Sequence, residues 1–375
     1  MADCRFVVVG AGLFGLTIAE RIAAVKKEQV LLIEKRDHLG GNAAACTDAE
    51  TGIEVHRYGS HIFHTHHENV WKYLGQFCKF TAYRHRVLSF YRNNYYPIPI
   101  NLETINRFFN REFSSEEAAQ FISRRRLALE NPANLEDKAL SMLGKDLYEA
   151  FFQGYTQKQW ALSPRLLPPE IVSRIPLRFD FTWNYFDDHW QGLPENGYDE
   201  LFRNMAHDRR IKVTLNTDYF RIRDKLPSDH ILIFTGPIDS FFDYRYGRLN
   251  YRSLWFQQEV HPCSQFQPAA VVNYPEMDVA YTRIHEFRHY YPERKYPDRL
   301  TVISREYPQE STFSSEPMYP VNTEQDKRIH AQYRRLADKK RNFFPGGRLG
   351  LYEYLDMDDT VQKALRLFEE KLVQL

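Results

Sequence analysis

A glycine-rich turn near the beginning of the chain sets the strongest constraint on its fold. The apolar run Phe6–Val9 precedes the segment Gly10-Ala11-Gly12-Leu13-Phe14-Gly15, and apolar residues at helical spacing follow it. This order predicts a strand, a tight turn and a helix, the first half of a dinucleotide-binding βαβ unit. Gly10 permits the turn, Gly12 lets the backbone approach a pyrophosphate, and Gly15 lets the helix pack closely on the strand. The free amides at the start of the helix would then face the anion.

The second apolar run supports this interpretation. Val30–Ile33 ends in the acidic residue Glu34, about 20 residues beyond the glycines, where a ribose-binding carboxylate is expected. An acid there favours an unphosphorylated ribose, and therefore FAD or NAD over NADP. Lys35 and the segment Gly40-Gly41-Asn42 follow, and they resemble the second glycine pair of FAD proteins of the amine oxidase and glutathione reductase type. That resemblance favours FAD.

Charge and cysteine content exclude several classes of function. The 375 residues carry a formal net charge of +1, so no overall field attracts nucleic acid or an anionic membrane. The four cysteines show no C-x-x-C spacing, which indicates neither a disulfide framework nor a zinc site. No apolar run approaches membrane-spanning length, and the chain enters its first strand with no room for a signal peptide. We therefore expect a cytoplasmic protein of two or three structural units.

The pattern along the chain predicts an α/β protein of three parts. Residues 82–100 should form two strands joined by a polar turn, and residues 250–310 contain short strands separated by proline turns. Residues 101–165 show only helical periodicity, and a capping box at Ser114–Glu117 opens a helix expected to run through Leu129. The predicted fold is an FAD-binding Rossmann-like domain with an inserted helical bundle and an antiparallel β-sheet domain. The expected boundaries are 1–80, 190–240 and 318–375 for the FAD-binding domain, 101–165 for the helical bundle, and 81–100, 166–189 and 241–317 for the sheet domain.

Two histidine patterns suggest metal sites at first sight. Four histidines lie within residues 61–67, but no carboxylate or cysteine accompanies them at ligand spacing, and a loop that presents Gly59 and His61 to a flavin is the better interpretation. Residues 285–289 match the zinc motif H-E-x-x-H, yet residues 280–291 are rich in Tyr, Thr, Ile and Phe and end in proline, as a strand would. On a strand the two histidines are too far apart to share a tetrahedral ion. We predict no metal site.

Three segments resemble the bacterial UDP-galactopyranose mutase family, namely residues 57–65, 151–160 and 347–358. The resemblance covers nearly the whole chain. The family interconverts UDP-galactopyranose and UDP-galactofuranose with reduced FAD and without net redox change, on an FAD domain, a helical bundle and an antiparallel sheet. It implies that flavin N5 displaces UDP and holds the sugar, first as a glycosyl adduct and then as an iminium, while the ring opens and recloses. The product would enter galactofuranose-containing glycans of the cell surface.

The resemblance also implies a site for a nucleotide sugar. Arg174 and Arg283 match the arginines that hold the diphosphate of the departing UDP, and with His61 they are the catalytic candidates. Trp160 matches a tryptophan on a mobile loop that closes over the substrate, although Ala161 replaces the usual glycine after it. The remaining substrate-binding candidates are Tyr185, Tyr319 and Tyr354 for the diphosphate, Phe151, Phe152 and Tyr155 as a stacking platform for uracil, His85 near the sugar, and Thr156.

The cofactor-binding candidates fall into four groups along the chain. They are Gly10, Gly12, Leu13, Phe14 and Gly15 in the first turn; Glu34, Lys35, Gly41 and Asn42 after the second strand; Gly59, Ser60, His61 and Ile62 in the histidine-rich loop; and Arg348, Tyr354, Leu355, Asp356 and Met357 near the end. An electron donor, NAD(P)H or a reductase, is expected to keep the FAD reduced, and a homodimer is expected.

Two other substrates and two other classes of protein stay open. A related nucleotide sugar, UDP-N-acetylgalactosamine or a dTDP-6-deoxyhexose, fits the same reasoning. An FAD oxidoreductase of the amine oxidase type would need no diphosphate clamp, and a non-catalytic FAD-binding module would show no turnover with reduced flavin. Binding of UDP in the presence of FAD separates the mutase from the oxidase.

Overall fold

A computed structural model describes residues 4–173, 175–227, 229–312 and 315–375. The strands in chain order are β1 (Phe6–Val9), β2 (Val30–Ile33), β3 (Ala45–Thr47), β4 (Glu54–His56), β5 (Phe63–Thr65), β6 (Val87–Tyr91), β7 (Asn94–Ile98), β8 (Trp190–Gly192), β9 (Ile211–Thr214), β10 (Ile231–Phe234), β11 (Tyr251–His261), β12 (Val271–Asn273), β13 (Arg283–Glu286), β14 (Thr301–Glu310), β15 (Tyr319–Pro320) and β16 (Phe343–Pro345). The α-helices are α1 (Leu13–Arg21), α2 (Glu68–Leu74), α3 (Leu102–Phe109), α4 (Ser115–Ser123), α5 (Leu135–Leu143), α6 (Lys145–Tyr148), α7 (Gly154–Trp160), α8 (Glu170–Ser173), α9 (Tyr198–Met205), α10 (Tyr219–Ile222), α11 (Ile238–Phe241), α12 (Glu324–Asp338), α13 (Gly347–Gly350) and α14 (Met357–Leu367).

A parallel sheet of five strands carries the glycine-rich turn. Its order is β16-β10-β1-β2-β9, and every neighbouring pair is parallel. Strands β1, β2 and β10 are apolar along their whole length because both faces of the sheet are covered. Helices α1 and α14 pack against each other on one face. The chain passes from β1 through α1 to β2 on one side, whereas β10 lies on the other side of β1, so the sheet has its topological switch point at β1.

The second sheet has seven strands in the order β15-β11-β14-β13-β12-β6-β7. Two differences from expectation stand out. Strands β11 and β14 are long, with 11 and 10 residues, and the pair β12 and β6 is parallel in an otherwise antiparallel sheet. The hairpin of β6 and β7 comes from a distant part of the sequence, so no short turn forces it to join β12 in the antiparallel sense. The sheet is therefore mixed and not purely antiparallel.

The helices between β7 and β8 share one hydrophobic core with residues of β6, β7 and β12 of the second sheet. Ser114 and Glu117 form the capping box at the start of α4, but this helix ends at Ser123 and not near residue 129 as its periodicity suggests. From α6 to α7 the helical path is continuous and contains a π-helical turn, Glu149–Gln153. In the described part of the chain, no helix is both long enough and apolar enough to cross a lipid bilayer.

Candidate functional site

A cavity of about 890 Å³ lies where the parallel sheet ends at its switch point. Its walls include the residues at the carboxyl ends of three adjacent strands, Val9 of β1, Ile33 of β2 and Phe234 of β10. Open parallel sheets bind their ligands at this place, because the loops diverge there and the helix N-terminus faces the gap. Residues from 310–318 and 347–360 close the other side. Residues of both sheets line the cavity.

Each glycine of the first turn is needed for a different structural reason. Gly10 has φ +97°, and a Cβ added to Gly15 would lie 1.9 Å from the carbonyl oxygen of Gly10. Gly12 is different, because a Cβ there would meet no protein atom closer than the Cα of Gly41 at 3.8 Å. Both Gly12 and Gly41 line the cavity. The space that a side chain would fill at Gly12 is therefore left for a ligand, and the exposed backbone fits a pyrophosphate.

The end of β2 supplies the acidic group of the cavity. Glu34 is 6% exposed, and its carboxylate accepts hydrogen bonds from the backbone N–H groups of Ala11 at 2.7 Å and Arg36 at 2.9 Å. These bonds hold the carboxylate at the cavity wall, where further lone pairs can accept from ribose hydroxyls. Lys35 and Arg36 form ion pairs with Glu316 at 2.7 and 3.2 Å, which close this end. The residues present fit an adenosine without a 2′-phosphate.

His61 also lines the cavity, in a fixed orientation. Its backbone N–H donates to Nδ1 of His56 at 3.0 Å, and its own Nδ1 lies 2.8 Å from the carbonyl oxygen of Gly59. A carbonyl only accepts, so Nδ1 carries the proton and Nε2 is an acceptor. Burial lowers the pKa of His61 to about 4, so the imidazole is neutral near pH 7.

Arg348 joins the cavity to a cluster of aromatic side chains. Its Nη2 donates to the carbonyl oxygen of Leu355 at 2.7 Å, and its guanidinium lies 5.0 Å from the ring centre of Tyr319 and 5.4 Å from that of Tyr354. These two rings are stacked, with centroids 5.5 Å apart. Arg348, Leu355 and Met357 line the cavity. The structure thus places Tyr319, itself a site candidate from the sequence, next to the site candidates within residues 348–357.

Arg283 lies at the start of β13 with much of its hydrogen-bonding capacity unused. Its guanidinium is 5.5 Å from the ring centre of Tyr155, and its Nη1 is 3.8 Å from Oε2 of Glu306. Its Nε and the hydroxyl of Tyr155 are buried without a hydrogen-bond partner of normal geometry among the described residues. Buried donors are rarely left unsatisfied. Two such donors side by side fit a ligand that brings acceptor oxygens.

Tyr185 and His85 complete the cluster near Arg283. Their ring centroids are 5.6 Å apart, and the N–H of Tyr185 donates to the carbonyl oxygen of His85 at 2.8 Å. Burial lowers the pKa of His85 to about 3 and raises the pKa of Tyr185. Both side chains are therefore neutral near pH 7 and can act as hydrogen-bond partners without carrying charge.

A buried polar chain behind Arg283 was missed by the sequence analysis. Glu306 of β14 has a side chain that is 3% exposed, and Nε2 of His285 lies 3.1 Å from its Oε2. Nδ1 of His285 contacts the hydroxyl of Ser60, which also contacts the hydroxyl of Tyr290. Burial raises the pKa of Glu306, but Arg283 and His285 outweigh it and lower the pKa to about 2. The sequence does contain a signal for it, because Glu306 is an acidic residue at an inward-facing position of a strand with alternating side chains.

Arg252, near the start of β11, is a second residue that the sequence analysis missed. It lines the cavity, is 6% exposed, and donates from Nε to the carbonyl oxygen of Gln159 at 3.0 Å. Burial lowers its pKa from the ordinary value. An arginine inside a strand is a weak signal among 50 basic residues. Arg252 bonds to Gln159, the residue before Trp160, and only the fold reveals this contact.

The helical candidates separate into two groups. Phe151 is buried and packs with the rings of Tyr91, Tyr96 and Phe108, so it contributes to the core of the helices. Phe152 and Thr156 are buried as well. Trp160, by contrast, lines the cavity together with Ala161 and Leu162. Ala161 has φ +51°, a left-handed conformation that glycine adopts more easily. Arg174 lies outside the described residues.

The side chains of the histidine-rich loop have mixed surroundings. Ser60 belongs to the buried polar chain, and Ile62 is 5% exposed in the core. Gly59 has φ +86°, and a Cβ there would lie 3.4 Å from Oε2 of Glu306. The loop therefore packs closely against β14. Of the four candidates Gly59, Ser60, His61 and Ile62, only His61 lines the cavity.

The H-E-x-x-H segment does not assemble a metal site among the described residues. His285 contacts Glu306, whereas Nε2 of His289 lies 3.1 Å from Oε2 of Glu286 and 3.0 Å from the carbonyl oxygen of Gln267. The expected strand over residues 280–291 is wrong in its second half, because β13 ends at Glu286 and the turn Phe287–Tyr290 is a 3₁₀ helix. The two histidines consequently have separate partners.

Comparisons with known proteins agree with this geometry. The sequence model of the UDP-galactopyranose mutase family matches residues 150–354, and that of the NAD(P)-binding Rossmann-like domain matches residues 8–77. A probable UDP-galactopyranose mutase of Klebsiella pneumoniae is 37% identical over 99% of this chain and 96% of its own. A dTDP-fucopyranose mutase of Escherichia coli is 34% identical over 96% of both chains.

A solved structure supports the same fold. The crystal structure of a reduced UDP-galactopyranose mutase superposes with a TM-score of 0.77 at 16% identity, covering 100% of this chain and 95% of the other. That of a protoporphyrinogen oxidase described as putative superposes with a TM-score of 0.65 at 15% identity, covering all of both chains. Identity of 37% over 99% of the chain shows family membership, and the family implies a flavin cofactor. The chain belongs to the UDP-galactopyranose mutase family, whose members are isomerases.

Proposed function

We propose that this protein interconverts the pyranose and furanose forms of UDP-galactose with reduced FAD and without net redox change. The observation that carries the proposal is the pair of unsatisfied buried donors on Arg283 and Tyr155, next to an aromatic cluster that adjoins the dinucleotide cavity. An oxidase needs no such group of donors. A nucleotide sugar brings a diphosphate, whose oxygens can accept from both.

The chemistry explains why the diphosphate must be held. The sugar ring can contract only after O5 is freed from the anomeric carbon, and UDP occupies that carbon, so UDP must leave and later return. Reduced FAD, when bound, would supply a nucleophilic nitrogen for this exchange. The protein keeps the released nucleotide in place. Arg283, together with Arg174 by family resemblance, provides positive charge for the phosphate oxygens.

The tyrosines and histidines add neutral hydrogen-bond partners. Tyr185, Tyr319 and Tyr354 are proposed to donate to the diphosphate, since burial raises the pKa of Tyr185 and Tyr319 and keeps their hydroxyl protons in place. His61 offers Nε2 as a neutral acceptor at the cavity wall. His85 is proposed to contact the sugar. Each group therefore orients the substrate without adding charge beside the arginines.

The cofactor is proposed to be held along the cavity. Gly12 and Gly41 would face the pyrophosphate, Glu34 the ribose, and Arg348 and Met357 the flavin end. Trp160 and Leu162, which line the same cavity, would exclude water from the reacting sugar. A reductant, NAD(P)H or a reductase, would keep the FAD reduced. A homodimer and a role in galactofuranose-containing glycans belong to the same proposal.

A relative with a different substrate suggests a second candidate. The dTDP-fucopyranose mutase relative is 34% identical over 96% of the chain, only slightly less than the 37% of the Klebsiella relative. The two substrates differ in a methyl group on the base, in the 2′-hydroxyl of the nucleoside ribose, and in the hydroxyl at C6 of the transferred sugar. A dTDP-6-deoxyhexose is therefore the second candidate, and the diphosphate clamp serves both.

The test compares substrates and redox states in one experiment. FAD-loaded protein, oxidised or reduced with dithionite, is incubated with UDP-galactofuranose or dTDP-fucofuranose, and the pyranose and furanose products are separated by anion-exchange chromatography. We expect turnover only with reduced protein and with a higher kcat/KM for UDP-galactofuranose. Equal turnover by oxidised protein would contradict the proposal, and preference for the dTDP sugar would establish the second candidate. Oxygen consumption with amines but no isomerisation would indicate an oxidase.

A further inference from the structure

A group of histidines and carboxylates outside the proposed substrate site has the spacing of metal ligands. His66 and His67 follow β5, and Asp358 lies in the first turn of α14. One ligand atom of each residue lies within 4.8 Å of the others. The rings of His66 and His67 have centroids 4.1 Å apart. Two adjacent loop residues and one helix residue, almost 300 positions apart, thus meet at one point.

The three residues differ in exposure in a way that suits an ion at a protein surface. Asp358 is 5% exposed, whereas the side chains of His67 and His66 are 26% and 72% exposed. The Asp358 carboxylate already has hydrogen-bond partners in Thr65 and the backbone of Asp359, and a carboxylate keeps further lone pairs that can bind an ion. The histidines can approach it from the solvent side, and the exposure of His66 leaves room for water in a further coordination position. The donor set is therefore fixed on one side and open on the other.

Two further carboxylates lie around this group. Asp188 contacts Nδ1 of His64 at 2.7 Å through one oxygen and Nδ1 of His66 at 3.3 Å through the other. Oδ1 of Asp359 lies 3.8 Å from Nε2 of His67. Carboxylates that hold the rings of ligating histidines are the usual outer shell of a metal site. The ring of His64 is also stacked on Phe186 at 3.6 Å, which fixes this side of the group.

We propose that His66, His67 and Asp358 bind one divalent transition-metal ion. Two imidazoles and one carboxylate with an open position suit Zn²⁺, Co²⁺ or Ni²⁺ better than Mg²⁺ or Ca²⁺, which prefer oxygen ligands. The ion connects the loop after β5 to the start of α14. Leu355 and Met357, which line the dinucleotide cavity, immediately precede Asp358. A bound ion therefore stabilises the segment that closes the cavity.

The local sequence does not indicate this site. The four histidines within residues 61–67 have no carboxylate at ligand spacing along the chain. The fold supplies the carboxylates from residues 188 and 358–359. Strand β5 pairs with β8, which begins two residues after Asp188, and α14 packs against β5. The metal interpretation that local spacing argued against becomes the favoured one once these elements are adjacent.

The experiment measures metal binding by untagged, FAD-loaded protein that has been treated with a chelator and dialysed. Zn²⁺ is titrated by calorimetry, and Co²⁺ by its d–d absorption at wavelengths beyond the flavin bands. We expect one ion per chain with a Kd in the micromolar range or below, and a higher unfolding midpoint with Zn²⁺ than with chelator. Failure of the wild-type protein to bind an ion stoichiometrically would overturn the proposal.

Variants locate the ion. His66→Asn changes an exposed side chain and should fold normally, and Asp358→Asn removes the buried ligand. Each should weaken Zn²⁺ binding at least tenfold and abolish the metal-dependent rise in the unfolding midpoint. His189→Asn is the matched control, because His189 is exposed and adjacent to Asp188 but is not part of the group. Unchanged binding by His66→Asn, or an equal loss in His189→Asn, would show that the ion lies elsewhere.

Discussion

Arg283 carries a positive charge on a partly buried side chain, 34% exposed, and has few partners among the residues that the structure describes. Its nearest described carboxylate, on Glu306, is 3.8 Å away and already contacts His285 and Thr282. Burial lowers the pKa of Arg283, but Tyr155 and Glu306 outweigh it, and the pKa stays well above the ordinary value. The guanidinium therefore remains charged with its Nε unsatisfied. Such a residue gains most of its partners only when an anion binds.

The first prediction concerns the removal of this charge. Arg283→Ala should lower kcat/KM by about 30-fold to several thousand-fold, because losing one partner of a desolvated charged pair costs about 2 to 5 kcal/mol. Arg283→Lys should restore part of the activity, since an ammonium supplies charge without the two-pronged geometry. Both variants should retain FAD, measured by absorbance, because the arginine does not line the dinucleotide cavity. Near wild-type kcat/KM with full FAD content would place the diphosphate elsewhere.

The second prediction follows from His85, which is 4% exposed and has its pKa lowered to about 3 by burial. In the unfolded chain the imidazole binds a proton below about pH 6.5, but in the folded protein it does not until about pH 3. The unfolded state thus binds more protons between these values, and the free energy of unfolding falls as the pH is lowered from 6.5 towards 3. The contribution of His85 is at most about 1.4 kcal/mol per pH unit.

His85→Gln removes this titration and keeps a polar side chain. Urea unfolding of FAD-loaded wild-type and variant protein at a series of pH values between 4 and 7 measures the difference in slope. We expect a flatter profile for the variant. Parallel profiles would mean that His85 already titrates normally in the folded state.

At the scale of elements, α7 ends in an unfavourable residue. Ala161 follows Trp160 in the left-handed conformation, with φ +51°, and its N–H donates to the carbonyl oxygen of Gln157 at 2.9 Å. Helices that end in this conformation prefer glycine, because a Cβ crowds the backbone. The family resemblance pointed to glycine at this position. The positive φ of Ala161 explains why glycine would suit this position.

The third prediction is that Ala161→Gly stabilises the protein by about 1 kcal/mol, as relief of the left-handed strain exceeds the added freedom of the unfolded chain. Ala119→Gly, inside α4, is the matched control and should destabilise by about 0.5 to 1 kcal/mol. Chemical unfolding of the FAD-loaded proteins provides both values. A change of the same sign in the two variants would argue against strain at Ala161.

A single lysine connects α7 to the loop before β13. Nζ of Lys158 lies 2.6 to 3.0 Å from four backbone carbonyl oxygens, those of residues 274, 276, 279 and 281. These oxygens would otherwise lack a donor of equal strength. Arg283 follows two residues after the last of them. The contact therefore fixes the loop that leads to the proposed diphosphate clamp.

The fourth prediction is that Lys158→Met destabilises the protein by about 1 to 3 kcal/mol, since four partly buried carbonyl groups lose a charged donor. It should also raise KM for the nucleotide sugar more than it lowers kcat, because the start of β13 becomes less well ordered. Lys145→Met, at an exposed lysine in α6, is the control and should change stability by less than about 0.5 kcal/mol. Equal effects of the two substitutions would contradict a specific role for Lys158.

On the scale of the whole molecule, local patterns predicted what lies close in sequence. The parallel sheet, the capping box at Ser114 and the acid at Glu34 follow from runs, spacing and the glycine-rich turn. Contacts between distant segments could not be predicted from such local patterns. Glu306 beneath Arg283, Arg252 at the cavity and Asp188 beside the histidines depend on strand register, which a one-residue shift would reverse. The parallel pairing of β6 with β12 had no local signal at all.

The dinucleotide cavity joins the two sheets, because it is lined by residues of the first turn and by residues of β11 and of the chain after β14. Filling it should therefore stabilise the molecule as a whole. A ligand that binds only the folded state adds RT ln(1 + [L]/Kd), about 2.7 kcal/mol at a concentration of 100 Kd. FAD added to the cofactor-free protein should raise the unfolding midpoint in a concentration-dependent way.

The last prediction uses two glycines of the same turn to separate cofactor binding from folding. In Gly12→Ala the new methyl group meets no protein atom within 3.8 Å, so the cofactor-free protein should unfold at the wild-type midpoint. It should lose the rise caused by FAD, because the methyl group occupies the place of the pyrophosphate. In Gly15→Ala the methyl group would lie 1.9 Å from the carbonyl oxygen of Gly10, so the cofactor-free protein itself should be destabilised. Thermal unfolding with and without FAD measures both effects, and an FAD-dependent rise of wild-type size in Gly12→Ala would mean that the cofactor does not approach this turn.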